Sequence, residues 1–173
     1  MSTICALSGK RTLIEYISAE KLSAQLADTL AVTDTKVNSL YGSHFSPICV
    51  LPPGESEKTH ANLLRIIREL TRQEATRDVS LAAVGGGVVC DIGALAASLY
   101  MRGMRLVLVP TTLLAMVDAS VGGKTGIDYR GYKNLLGSFY PAHRVLICAE
   151  FIRTLNEKEF LNGLAEVIKH GLL

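Results

Sequence analysis

The sequence predicts an α/β fold, a mostly parallel sheet flanked by helices. Short apolar runs alternate with segments of helical periodicity, the signature of layered strands and helices. Residues 79–109 condense the pattern into buried strand, glycine turn, apolar helix and second buried strand. Length and composition agree: 173 residues with 49% hydrophobic and 20% charged side chains build one domain with a real core, not a disordered or fibrous chain.

In chain order, residues 12–17 alternate as a strand and 19–27 suit a short helix. The stretch 29–45 has no clear period, although 32–34 can end a strand. Residues 47–51 form a short apolar strand before the turn Pro52-Pro53-Gly54. Across 57–74, Leu63, Leu64, Ile67 and Leu70 recur at helical spacing with charges opposite. Then come a strand at 79–84, an apolar helix at 88–101 and a strand at 105–109, with crossovers expected to be right-handed. Residues 111–144 carry five of the fifteen glycines and read as irregular chain after a short helix at 112–119. A last strand at 145–148 leads to an amphipathic helix at 157–172, for which Asn156 and Glu159 suit a capping box.

The net charge of +2, without a Lys/Arg run, argues against a nucleic-acid surface. Cys5, Cys49, Cys90 and Cys148 form no CxxC pair, which fits free thiols in a reducing, cytoplasmic setting. No signal-peptide pattern opens the chain. Residues 79–100 hold one charge, Asp91, and are long enough to span a bilayer, but Gly85, Gly86 and Gly87 interrupt them; a soluble protein is expected.

Three places can carry chemistry. Glycines 85–87, where a strand passes into a helix, let backbone N–H groups approach an anion, although the same run also serves as a plain tight turn. Asp91, one turn into that apolar helix, needs a partner or a ligand. Residues 110–137 gather Thr111, Thr112, Asp118, Lys124, Lys133 and Asn134 after a strand's carboxyl end, where α/β sheets bind ligands. Gly122-Gly123-Lys124-Thr125 lacks the first glycine of a P-loop, since Asp118 stands there. On the last helix, Asn162, Glu166 and Lys169 share a face opposite Leu161, Leu164 and Ile168, which by pattern alone is a solvated stripe. His44, His60, His143 and His170 have no metal-ligand spacing.

The motifs GGGVVCDIGALAA (85–97), YMRG (100–103), VPTTLLAMVDASVGGKTGID (109–128), KNLLGSFYP (133–141) and GLAEVIKHG (163–171) together resemble those of 3-dehydroquinate synthases in order and spacing, from about Pro52 onward. The resemblance implies a Rossmann-like NAD-binding domain at 1–155, with 156–173 the first helix leading into an all-helical second domain that this chain does not include. The implied enzyme is a carbon–oxygen lyase of the shikimate route. It converts 3-deoxy-arabino-heptulosonate 7-phosphate to 3-dehydroquinate and phosphate, using NAD and a divalent metal, zinc or cobalt.

Carried over by position, the NAD contacts fall on Pro53, Gly54, Glu55, Ser56, Lys58, Gly86, Gly87, Asp91, Thr111, Thr112 and Lys133. They continue at Phe151, Ile152, Arg153 and Thr154, with Asp34 added from the loosely matching start. Substrate contacts fall on Arg102, Asp118, Lys124, Asn134, Asn162 and Lys169, of which Asp118 and Lys169 are the implied catalytic groups, and Glu166 is the implied metal ligand. Cys90 stands where the family usually has Gly, and Ala94-Leu95 replaces a common Gly-Phe. The implied partners are a sugar phosphate and, at full length, a second copy of the chain. The other readings are a related sugar-phosphate cyclase, a metal-dependent polyol dehydrogenase, or a non-catalytic nucleotide-binding piece.

Overall fold

A computed structural model describes residues 2–7 and 10–172. Strands β1 (Ser2–Leu7) and β2 (Lys10–Tyr16) pair antiparallel, and α1 (Leu22–Leu26) leads to β3 (Thr29–Asp34). Then follow α2 (Thr35–Tyr41), β4 (Pro47–Leu51), α3 (His60–Arg72), β5 (Ser80–Gly85), α4 (Gly87–Leu99) and β6 (Arg105–Pro110). After a π-helical turn at Ala115–Ala119 come β7 (Lys124–Tyr129), β8 (Tyr132–Phe139), β9 (Arg144–Ile147) and α5 (Glu157–Leu172).

Seven strands form one sheet in the order β1-β2-β9-β6-β5-β3-β4, parallel except at β1, as the α/β reading required. Its apolar runs are explained by burial on both faces. Leu81 and Ala83 of β5 with Leu106 and Leu108 of β6 pack under α3 and α4. The alternate residues Ala82, Val84, Val107 and Val109 pack on the other face with Leu22, Val37, Met116 and Phe151. Helix α4 lies close on the sheet because Gly93 has no Cβ; one there would stand 2.7 Å from Ala83 Cβ. Cys49, Cys90 and Cys148 are buried free thiols, and burial pushes Cys90 far above the ordinary thiol range.

Four features differ from the expectation. Residues 2–7 and 35–41 form a strand and a helix that the sequence pattern did not announce. In α3 the buried stripe is Leu63, Ile66 and Leu70, while Leu64 faces solvent. The stretch expected to be irregular is a hairpin, β7–β8, closed by Arg130 and Gly131, both at positive φ (49° and 82°). That pair of left-handed residues is the geometry of a two-residue hairpin turn. Alternation is hidden there because nearly every residue of β8 is exposed and a register shift interrupts the pairing.

Candidate functional site

The sheet reverses direction of growth between β3 and β5: the chain leaves β3 towards β4 and β5 towards β6. The carboxyl ends of those two strands splay apart at such a switch and leave a crevice. A cavity of about 210 Å³ lies there. Asp34 ends β3, and Gly86 and Gly87 open α4; Pro53, Gly54, Thr111, Thr112 and Thr154 complete its polar and backbone lining. Gly54 is at φ 116°, a conformation that favours glycine.

Helix α4 starts without a side-chain cap, so its first N–H groups face this cavity. A Cβ on Gly86 would stand 3.3 Å from Thr112 Cγ2, narrowing the approach to them. Asp34 Oδ1 accepts the Val37 amide at 2.9 Å, capping α2. Its other oxygen accepts no donor among the described residues. The cavity therefore offers N–H donors at one wall and a carboxylate oxygen at another. That is the complement of a phosphate joined to a sugar.

Beside this cleft, α4 meets the hairpin. Lys58 donates from Nζ to Asp91 Oδ2 at 2.5 Å and to Asn134 Oδ1 at 2.5 Å. Lys58 is 4% exposed, so its ammonium depends on these partners. Asn134 reaches it because the chain is at φ 53° there, while Asp128 Oδ1 accepts the Asn134 amide at 2.8 Å. Burial pushes the Asp91 carboxyl above its ordinary range, and Lys58 pulls it back without cancelling the rise. Neighbouring Lys133 points elsewhere, towards Glu55 at 3.5 Å on an exposed surface. A second cavity, of about 380 Å³, is lined by Asp91, Asn134, Lys124 and Thr125.

Helix α5 approaches from the other side. Gly163 is its one buried residue among those described, and a Cβ there would come within 2.6 Å of Leu113 Cβ and the Leu114 amide nitrogen. That close contact holds α5 against the turn carrying Asp118. Glu166, half-buried, accepts from Lys169 Nζ at 2.9 Å. This hydrogen bond raises the Lys169 pKa, with smaller help from Asp118. Asn162, Lys169 and the apolar Leu161, Ile168 and Leu172 are exposed. The expected capping box is half made: Asn156 Oδ1 accepts the Glu159 amide at 2.8 Å, but the Glu159 carboxylate turns to Lys36.

Not every sequence candidate converges. Arg102 lies past the end of α4, roughly 20 Å along the helix from Gly87 at 1.5 Å per residue, and lines neither cavity. Of residues 151–154 only Thr154 lines the first cavity; Phe151 is in the core against Tyr41. Ser56 sits in the short exposed turn Glu55–Glu57. Lys36, Tyr41 and Glu159 line the cavity although no motif marks them; the signal was the position of Lys36 just after Asp34. Among the described residues, no group of three or more His, Cys, Asp or Glu is arranged to hold a metal. No described helix is long and apolar enough to cross a membrane.

Comparisons with known proteins place this geometry. Residues 48–162 match the family model described as 3-dehydroquinate synthase N-terminal. A 3-dehydroquinate synthase from Pyrococcus abyssi is 43% identical over 168 residues, covering 96% of this chain and 50% of the relative. One from Chlamydia caviae is 46% identical over 126 residues, 73% of this chain and 33% of its own length. The chain thus spans half or less of these relatives. Among solved structures, the 2-epi-5-epi-valiolone synthase ValA from Streptomyces hygroscopicus subsp. jinggangensis, with NAD+ and Zn2+ bound, superposes with a TM-score of 0.86 at 35% identity. It matches 96% of this chain and 51% of that one. A 2-deoxy-scyllo-inosose synthase complexed with carbaglucose-6-phosphate, NAD+ and Co2+ shares the fold, with a TM-score of 0.85 at 19% identity over 98% of this chain and 51% of that one.

Proposed function

The chain belongs to the 3-dehydroquinate synthase family, and we propose that it is the NAD-binding part of an enzyme converting 3-deoxy-arabino-heptulosonate 7-phosphate to 3-dehydroquinate and phosphate. The observation that carries the reading is the crevice between β3 and β5, with the uncapped start of α4 on one wall and Asp34 on the other. These residues fit NAD. The α4 amides suit its pyrophosphate and Asp34 a ribose hydroxyl, while Gly86 leaves the room a Cβ would take. When bound, NAD supplies a reversible hydride acceptor.

The chain's own groups then hold and orient. Lys58, itself held by Asn134, fixes the Asp91 carboxylate, which is assigned to a nicotinamide ribose. Thr111, Thr112, Lys133 and Thr154 border the dinucleotide. Lys124 and Asn134, at the second cavity, bind the sugar phosphate together with Asn162 and Lys169 of α5, whereas Arg102 lies too far from both cavities to join them. Lys169, whose pKa is raised by its hydrogen bond to Glu166, serves as a standing cation for the substrate's anionic groups.

The described residues do not make a metal site. A zinc site needs three or four protein ligands, and Glu166 is a single carboxylate already held by Lys169. We assign Glu166 as one ligand of a divalent-metal centre completed by other residues. Residues 1–155 are the proposed NAD domain and 156–173 the start of the next, whose packing surface is the exposed apolar row of α5. A cytoplasmic homodimer is the proposed setting; the exposed Tyr132, Leu135, Leu136 and Phe139 of β8 offer apolar surface for a second copy.

The test measures phosphate release and NADH together, with the heptulosonate phosphate and NAD. Protein carrying this chain with the remainder its relatives have should release phosphate without matching NADH, while residues 1–173 alone should not turn over. NADH accumulating one for one with turnover would assign a dehydrogenase instead.

A further inference from the structure

The mouth of the nucleotide cleft carries an ion pair that none of the roles above uses. Lys36, in the first turn of α2, donates from Nζ to Glu159 of α5, at 3.1 Å to Oε1 and 2.9 Å to Oε2. Both residues line the same cavity as Asp34, Gly86 and Gly87. A second link runs beside it, where the Tyr41 and Thr154 hydroxyls stand 2.6 Å apart. Glu159 makes its bond to Lys36 instead of turning back to the start of its own helix, the ordinary use of a glutamate three residues after an Asn cap.

A lysine at this place has a chemical consequence. Asp34 ends the strand next to the glycine turn and caps α2, so the 2′ position of a ribose held by its carboxylate would lie near the first turn of α2. An ammonium two residues beyond Asp34 is what a 2′-phosphate there would seek, and Asp34 alone would repel it. Glu159 already occupies that ammonium through both of its oxygens.

We propose that Glu159 is a specificity-determining residue: by holding Lys36 it leaves the lip of the cleft without a free cation for a 2′-phosphate, and so favours NAD over NADP. Cofactor choice is thereby set by a residue of α5, outside the strands that build the cleft. The inference rests on reading the cleft as a dinucleotide site. A bland alternative is a surface ion pair that merely pins α2 to α5. Both side chains remain partly exposed, at 45% and 37%, and such pairs add little stability. The alternative predicts no change in the preference between the two dinucleotides.

The experiment measures Kd for NADH and NADPH by nucleotide fluorescence, using the full chain, Glu159→Gln, Lys36→Met and the double variant. Circular dichroism checks that each is folded. Freeing Lys36 in Glu159→Gln should tighten NADPH relative to NADH by about fivefold, the size of one exposed charge interaction. Lys36→Met and the double variant should show no such gain. A Glu159→Gln protein that gains equally for both nucleotides, or for neither, overturns the inference while the cleft reading stands. Failure of the unaltered chain to bind either nucleotide overturns both.

Discussion

The cleft at the β3–β5 switch and the cavity between α4 and the hairpin both border α4, yet they are built differently. The cleft is made by strand ends and helix starts whose backbones the sheet already fixes, and its acid, Asp34, is 8% exposed and engaged in a cap. The second cavity depends on side chains from α4 and the hairpin, several of them exposed: Lys124, Asn134 and Phe139. A parallel sheet thus supplies a crevice by topology, whereas the second cavity must be assembled from side chains of separate elements. The Lys58–Asp91–Asn134 cluster is the hinge between the two regions.

Breaking that hinge should have the largest effect. Lys58→Met leaves Asp91 as a buried carboxylate without its cation and Asn134 without its donor. Removing one partner of such a pair costs about 3 kcal/mol, which urea denaturation would read as a lower midpoint at constant slope. An unchanged midpoint would show that the pair is solvated.

Next is the contact that seats α5. Gly163→Ala must push the helix off the Leu113–Leu114 backbone, at a cost of roughly 2 kcal/mol from overpacking, offset in part by better helix propensity. Denaturation should show the loss, and NAD affinity should hardly change. A large fall in NAD affinity would mean that the two regions are not separable.

A smaller effect is the pH dependence at Asp91. Its folded pKa is raised by burial, so the folded state binds more protons than the unfolded state between the ordinary carboxylate range and the raised value. Stability should therefore fall as pH rises through that window, and Asp91→Asn should remove that component of the slope. A rise in its place would mean that Lys58 outweighs burial.

Smallest is metal binding by this chain alone. Glu166 would compete poorly with water, so calorimetry with zinc should give weak binding, and Glu166→Gln should change it little. Tight stoichiometric zinc would contradict the reading of Glu166 as a lone ligand among the described residues.

The cleft's framework was legible in the sequence because β5, α4 and β6 are apolar runs punctuated by glycines, and burial on both faces leaves such runs little freedom. The hairpin was not. Its residues are mostly exposed, a register shift breaks the alternation, and Asn134 reaches Lys58 only through a left-handed backbone that no local pattern marks. The cluster joins residues 33 and 76 positions apart, beyond the reach of any periodicity. On α5 the pattern read a solvated polar stripe opposite an apolar one. The structure half-buries Glu166 and exposes Leu161 and Ile168, because the helix docks through Gly163. Family motifs, and not spacing, marked Glu166.

The most direct test of the central claim is amide hydrogen exchange on residues 1–173 with and without NAD. Binding at the switch predicts protection at 34–37, 53–54, 86–89 and 111–112, with β8 and α5 little changed beyond the Glu159 turn. No binding, or protection confined to β8 and α5, would contradict it.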